Sequence, residues 1–207
     1  MAYSDFDLER ARAELGLTVR TRKDPFGPVP PVPRDPAVAA FLARNRRLAL
    51  AVNTEKARSE WLISPLLSEV WRRGEDRIAL FSGVPLNADP AAGLVGVCDY
   101  ILGYPPQLDY VTAPLMVIVE AKNENIPRGF GQCAAAMVGA QRFNRGRNPD
   151  IDTVYGCVTN GAEWKFLRLR GTELDIDSAE YLISEPDRIL GLLLHCVGLT
   201  PAAPAAA

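Results

Sequence analysis

The run Leu115–Lys122 reads Leu-Met-Val-Ile-Val-Glu-Ala-Lys, and it decides the fold of this chain. Its five leading apolar residues predict a buried β-strand. Because successive strand side chains point to opposite faces, Glu120 and Lys122 share one face while Ala121 lies on the other. Burying an acid beside a base is costly unless the two are paired or bind something. The end of this strand is therefore a candidate functional site.

The pattern around this strand predicts an α/β protein. Four further strands are expected at residues 77–81, 98–102, 153–159 and 164–168, and Asn160-Gly161 predicts a hairpin between the last two. Helices are expected at residues 4–16, 37–50, 54–73, 129–143 and 186–197, with a kink or break at Pro65 in the third. This order indicates an α/β sandwich around a mixed central sheet.

The composition divides the chain into three parts. Residues 1–50 are expected to form an N-terminal helical arm whose proline-rich connector, 24–36, can be neither helix nor central strand. Its second helix carries Arg44, Arg46 and Arg47. Residues 51–200 form the predicted main domain, and residues 201–207 a disordered tail. We expect the arm to dimerise or to dock onto the main domain, because its apolar residues need a partner surface.

Bulk composition excludes several classes of protein. Hydrophobic residues make up 48% of the chain, and no apolar run approaches the length of a membrane span, so we expect a cytoplasmic protein. The 4 cysteines are far apart and there is a single histidine, His195, which argues against a zinc site and against Ser-His or Cys-His catalysis. A net charge of −2 does not by itself indicate nucleic-acid binding, although a nuclease needs only a local basic groove.

An aspartate that ends one apolar segment, followed by Glu-x-Lys at the end of the next, resembles the signature of the PD-(D/E)xK nuclease superfamily. Asp99, Glu120 and Lys122 carry it here. The resemblance extends to the nuclease-like N-terminal domains of type I restriction subunits and to short bacterial proteins of undefined function, and it spans about residues 50–195. The stretches that match are 54–67, 98–99, 119–123, 129–133 and 158–166.

The sequence departs from the pattern of the superfamily in three respects. Cys98 stands where proline is typical, residues 104–109 lengthen the connection from Asp99 to Glu120, and we expect no helicase motor to be coupled to cleavage within this chain.

The resemblance implies a restriction-endonuclease-like three-layer sandwich and a Mg²⁺-dependent nuclease acting on DNA, in defence or repair. Asp99, Glu120 and the carbonyl of Ala121 would hold Mg²⁺, for which Mn²⁺ could substitute, and Lys122 would assist the attack of water. On residue chemistry alone, Glu120 and Lys122 could equally form a structural ion pair, with Asp99 as a turn residue. The alternative function is a non-catalytic nucleic-acid-binding or scaffold protein that keeps the fold.

Two further polar positions are candidates for the site. We rank Glu55 first and Glu60 second as the helix glutamate that joins it, although Glu55 could be a first-turn acid favoured by the helix dipole. Gln132, on the following helix, would position phosphate or water, or would be an ordinary polar residue near a helix N-terminus. The expected partner is DNA, contacted through phosphates, and a homodimer or a larger nuclease complex is an alternative assembly. The main basic candidates for DNA contact are Arg142, Arg145, Arg147, Lys56 and Arg58.

Overall fold

A mixed eight-stranded sheet carries the fold, which confirms the predicted α/β class. The computed structural model describes residues 1–74, 77–104, 111–122, 125–147 and 151–199. The strands lie in the order β1-β7-β6-β5-β4-β3-β2, with β8 paired to β6. Only β4–β5 and β1–β7 are parallel pairs within this sheet. The strands are β1 (Thr18–Arg22), β2 (Ala79–Pro85), β3 (Val97–Gly103), β4 (Leu115–Ala121), β5 (Thr153–Thr159), β6 (Glu163–Arg170), β7 (Glu173–Asp177) and β8 (Tyr181–Leu182).

Helices cover both faces of the sheet, so two hydrophobic cores form, one on each side. α1 and α5 pack on one face, and α2, α4 and α6 on the other. None of the described helices combines the length and apolar character that crossing a bilayer requires. The helices are α1 (Leu8–Leu15), α2 (Pro36–Val52), α3 (Glu55–Arg58), α4 (Ser64–Gly74), α5 (Ile126–Arg145) and α6 (Pro186–Cys196), with short 3₁₀ turns at Tyr3–Asp5 and Pro90–Ala92.

All five expected strands form, and the expected hairpin pairs Thr159 with Trp164 across Asn160-Gly161. Three strands were not predicted: β1, β7 and β8. β1 carries two arginines, and these pair with acids of β7: Arg20 with Glu173 at 3.1 Å and Arg22 with Asp175 at 2.8 Å. The composition of β1 does not predict a strand. Charge pairing with β7, about 150 residues later in the chain, stabilises it.

The third expected helix does not end at Pro65: a π-helical turn precedes this proline, and the chain continues as α4. This turn, Ser59–Ile63, joins α3 to α4, and the Ser64 N–H donates to the Ser59 carbonyl. Proline has no N–H to continue the α-helical ladder, and its ring crowds the carbonyl four residues earlier. The wider turn immediately before Pro65 accommodates that ring without ending the helix.

The N-terminal segment docks onto α5 through glycine. A β-carbon at Gly131 would overlap the backbone of Asp7, and one at Gly139 would overlap the hydroxyl of Tyr3. Glycine at these two positions lets the first turns of the chain lie directly on the helix, and β1 then adds a strand to the sheet edge. The first 50 residues therefore share the layers of the main domain.

The proline-rich connector is held by a buried carboxylate. The Glu69 side chain is fully buried in α4, and it accepts hydrogen bonds from Arg73 at 2.7 Å, from Arg72 at 2.8 Å and from the Asp35 N–H at 3.3 Å. Arg73 also donates to the Pro33 carbonyl at 2.5 Å. This cluster fixes the end of the connector where α2 begins. Most of the insertion expected at 104–109, Asn123 of the matched stretch 119–123, and the tail 201–207 lie outside the described residues.

Candidate active site

The candidate site lies at a fork in the sheet where β4 parts from β3 but stays paired with β5. The β3–β4 ladder runs as far as Tyr100 opposite Val119, whereas the β4–β5 ladder continues to Ala121 opposite Thr159. At the fork, the Ala121 N–H donates to Asp99 Oδ2 at 2.8 Å in place of a strand carbonyl. Because the Asp99 carboxylate takes the place of a backbone acceptor opposite Ala121, it lies next to Glu120.

Glu120 is fully buried, and its two oxygens have different surroundings. Oε2 accepts a hydrogen bond from Gln132 Nε2 at 2.6 Å and lies 3.8 Å from Lys122 Nζ. Lys122 Nζ in turn donates to Gln132 Oε1 at 3.0 Å, which closes a three-residue ring. Oε1 is buried, and no N–H or O–H group among the described residues donates a hydrogen bond to it. A buried oxygen without a donor is unfavourable, so this position is poised to take a proton or a cation.

The electrostatics of the fork favour a protonated Glu120. Burial, followed by the nearby charge of Asp99, raises its pKa from 4.5 to about 8, against the lowering effect of Lys122. Hydrogen bonding with Asp99 acts in the same direction as burial because it favours the protonated form.

Glu55, the first residue of α3, is exposed to solvent near the fork. Desolvation raises the pKa of Glu55, Lys122 lowers it and Asp99 raises it, so its carboxylate lies within the field of the site. α3 is fixed there by two contacts: Ser59 Oγ lies 2.7 Å from the hydroxyl of Tyr100, and Arg58 donates to the Asn160 carbonyl at 2.8 Å.

Glu60 is placed differently from Glu55. It forms an exposed ion pair with Lys56 at 3.0 Å and lines a pocket between α2 and α4. The structure thus brings together four of the six predicted side chains, Asp99, Glu120, Lys122 and Gln132, through direct contacts. Glu55 is exposed and senses their charges without a bond to any of them.

The donor set fits a hard divalent cation. Mg²⁺ and Mn²⁺ favour carboxylate and carbonyl oxygens, and Mg²⁺ usually keeps several waters. Asp99 and the unpartnered Glu120 Oε1 supply two such donors. Among the described residues no three acidic, histidine or cysteine side chains converge into a ready-made cluster, so the remaining ligands would be the Ala121 carbonyl and water. A cation here would also relieve the repulsion between the two carboxylates.

Gly129 is a functional position that the sequence reasoning did not single out for its role. A β-carbon at Gly129 would come within 2.6 Å of Val158 Cγ1 and 3.1 Å of Lys122 Cγ. Glycine therefore lets the Lys122 side chain lie flat between α5 and β5, where it reaches Gln132. The only hint in the sequence is that Gly129 precedes Gln132 by one helical turn. This arrangement is too common to predict a functional glycine by itself.

The basic residues proposed for DNA contact all have intramolecular partners. Arg142 pairs with Asp89 at 2.5 Å and Arg145 donates to Gln141 at 3.3 Å. Arg147 donates to the Phe143 carbonyl at 3.2 Å and lies over its ring. Lys56 pairs with Glu60, and Arg58 is held between Asn53 and Asn160. Any role of these side chains in DNA contact has to compete with these bonds.

Comparison with protein-family models and with curated proteins finds no match to the chain.

Proposed function

We propose that this protein is a divalent-metal-dependent phosphodiesterase of restriction-endonuclease-like type that cleaves DNA. The observation that carries the proposal is the fork between β3 and β4, where the buried, unpartnered Glu120 Oε1 adjoins Asp99 and the Lys122–Gln132 pair. Burying a carboxyl oxygen that no donor reaches costs stability, which favours a functional role.

Asp99 and Glu120 would hold Mg²⁺ or Mn²⁺, together with the carbonyl of Ala121. The bound cation would offset charge on the scissile phosphate and activate water for attack. Lys122, held 3.0 Å from Gln132 Oε1, would orient that water and stabilise the charge that develops on the phosphate. Gln132 would keep the Lys122 ammonium directed at the reacting group, because it bonds Lys122 and Glu120 at once.

Metal-dependent nicking of supercoiled plasmid tests the proposal. Wild-type protein should nick the plasmid in Mg²⁺ or Mn²⁺ and lose this activity in EDTA, and Glu120→Ala should abolish it while the protein stays folded. Retained turnover in a clean Glu120→Ala preparation would contradict the assignment.

The two helix glutamates give a matched pair of variants for the same assay. Glu55→Gln should lower the nicking rate by about 10²-fold, because Glu55 lies in the field of Asp99 and Lys122. Glu60→Gln should stay within about threefold of wild type, since Glu60 is exposed and its ion pair with Lys56 lies at the surface. The reverse order of effects would assign the helix glutamate of the site to Glu60.

One observation favours a second function, a non-catalytic nucleic-acid-binding or scaffold protein. The bonds among Lys122, Gln132 and Glu120, and that from Ala121 to Asp99, satisfy most of the polar groups of the site internally. A protein of that kind would neither bind Mn²⁺ through Asp99 nor nick DNA.

A further inference from the structure

The arginines of α2 differ from most others in the molecule. Arg44, Arg46 and Arg47 are exposed, and none of them has an ion-pair or hydrogen-bond acceptor within the part of the chain that the structure describes. Most other arginines do have acceptors, including the cluster Arg142–Arg147. The most available positive charge therefore lies on α2.

α2 is also free of acidic residues. Its 17 residues carry three arginines and no aspartate or glutamate, in a chain of net charge −2. Arg44 and Arg47 lie three residues apart and are neighbours on the outer surface of the helix. Arg46 lies on its flank, beside the pocket that Ile183 and Pro186 also line. Unscreened like charges on one helix are unfavourable in the free protein and favourable against a polyanion.

α2 leads directly into the candidate site. It ends at Val52, and Glu55 follows three residues later, after the left-handed Asn53. At a helical rise of about 1.5 Å per residue, Arg47 lies about 8 Å and Arg44 about 12 Å along the helix from Val52. A nucleic-acid strand presents a phosphate about every 3.4 Å of duplex axis, so arginines about one helical turn apart can contact neighbouring phosphates of one strand.

We propose that the outer face of α2 binds the phosphate backbone of the nucleic acid whose cleavage is proposed at the fork. This inference deepens the proposed function and rests on it for the identity of the substrate. The contacts are to phosphate, so they give affinity and register but no sequence preference.

The same face carries exposed apolar residues, which could instead pack against a second copy of the chain. Phe41, Leu48 and Val52 are between 42% and 47% exposed. Arg44 lies three residues from Phe41 and four from Leu48 on this helix, however, so a packing of α2 on a second copy through these residues would bring arginines of both copies into the contact. Like charges at the centre of such an interface disfavour it, since the helix offers no acid to pair with them.

The test is duplex binding by the full chain, measured by fluorescence anisotropy of a labelled 20-mer DNA duplex in EDTA and in Ca²⁺. The triple variant Arg44→Gln/Arg46→Gln/Arg47→Gln should bind about 10²-fold more weakly than wild type, and the slope of log K against log salt should fall by about 2 to 3. The matched control is Arg12→Gln/Arg20→Gln/Arg170→Gln, which removes the same charge elsewhere and should stay within about threefold of wild type.

Equal binding by the two triple variants, or no duplex binding by wild type in either buffer, would overturn the inference. It would also be overturned if Phe41→Ser/Leu48→Ser, and not the arginine variant, changed duplex binding, the oligomeric state in light scattering or binding to anionic phospholipid vesicles. Plasmid nicking separates the two proposals. Arginine-dependent binding without nicking supports the α2 surface and contradicts catalysis, whereas nicking without arginine dependence does the opposite.

Discussion

Glu120→Gln should make the protein more stable at alkaline pH while abolishing its proposed cleavage activity. The pKa of Glu120 is raised from 4.5 to about 8 by burial and by Asp99. The folded state therefore binds a proton that the unfolded state releases, and wild-type stability falls as pH rises from 4.5 towards 8. This shift in the pKa of Glu120 lowers the free energy of unfolding by roughly 3–5 kcal/mol once the pH exceeds about 8. Glutamine carries no charge and escapes this cost.

The side chain of glutamine also suits the site. Its carbonyl can accept from Gln132 Nε2, as Glu120 Oε2 does at 2.6 Å, and its amide group can donate to Asp99 as a protonated carboxyl would. Thermal melts at about pH 5 and about pH 8.5 measure the effect, and we expect a rise in Tm of about 5–10 °C only at the higher pH. Glu163→Gln, at an exposed position of β6, is the control and should change neither melt. A Glu120→Gln protein less stable than wild type at both values would mean that Glu120 is a structural partner of Lys122.

Glu69→Gln should release the proline-rich connector. Burial alone would raise the pKa of Glu69, but hydrogen bonds from Arg72 and Arg73 outweigh it and lower the pKa below 4.5. The Glu69 carboxylate thus stabilises the fold above pH 4.5, and this contribution is lost as pH falls through the lowered pKa. Loss of its charge-assisted bonds should cost about 2–3 kcal/mol and lower Tm by about 5–10 °C near pH 7.

Hydrogen exchange locates the effect of that substitution. The Val32 N–H, which donates to the Asp187 carbonyl at 2.9 Å, and the first turn of α2 should lose protection, while β4 should keep it. Glu60→Gln is the matched control, because Glu60 is exposed and pairs only with Lys56. Unchanged exchange in the connector would show that the prolines hold it in place without Glu69.

The central strand and its polar end could be predicted because the signal is local. An apolar run that ends in Glu-x-Lys fixes the face of each side chain by strand alternation, and Asn160-Gly161 fixes the neighbouring hairpin. The approach of Gln132 to Glu120 follows from the same logic, since α5 crosses between the parallel strands β4 and β5.

The remaining features depend on contacts between distant parts of the chain. β1 pairs with β7 only because about 150 residues fold between them, and a sequence pattern carries no such information. The choice between Glu55 and Glu60 depends on how the bonds of Ser59 and Arg58 orient α3. The sequence predicts that Arg142 contacts DNA, but in the folded protein Arg142 forms an ion pair with Asp89, which lies 53 residues earlier.

The most direct test of the metal centre is calorimetric titration of Mn²⁺ into the wild type and into Asp99→Ala, with Glu60→Gln as the control. Wild type should bind saturably, with an affinity that rises towards about pH 8 as Glu120 loses its proton, and Asp99→Ala should lose at least about tenfold in affinity. Glu60→Gln should match wild type. Absence of saturable binding in the wild type, or equal binding by Asp99→Ala, would contradict a metal centre formed by Asp99 and Glu120.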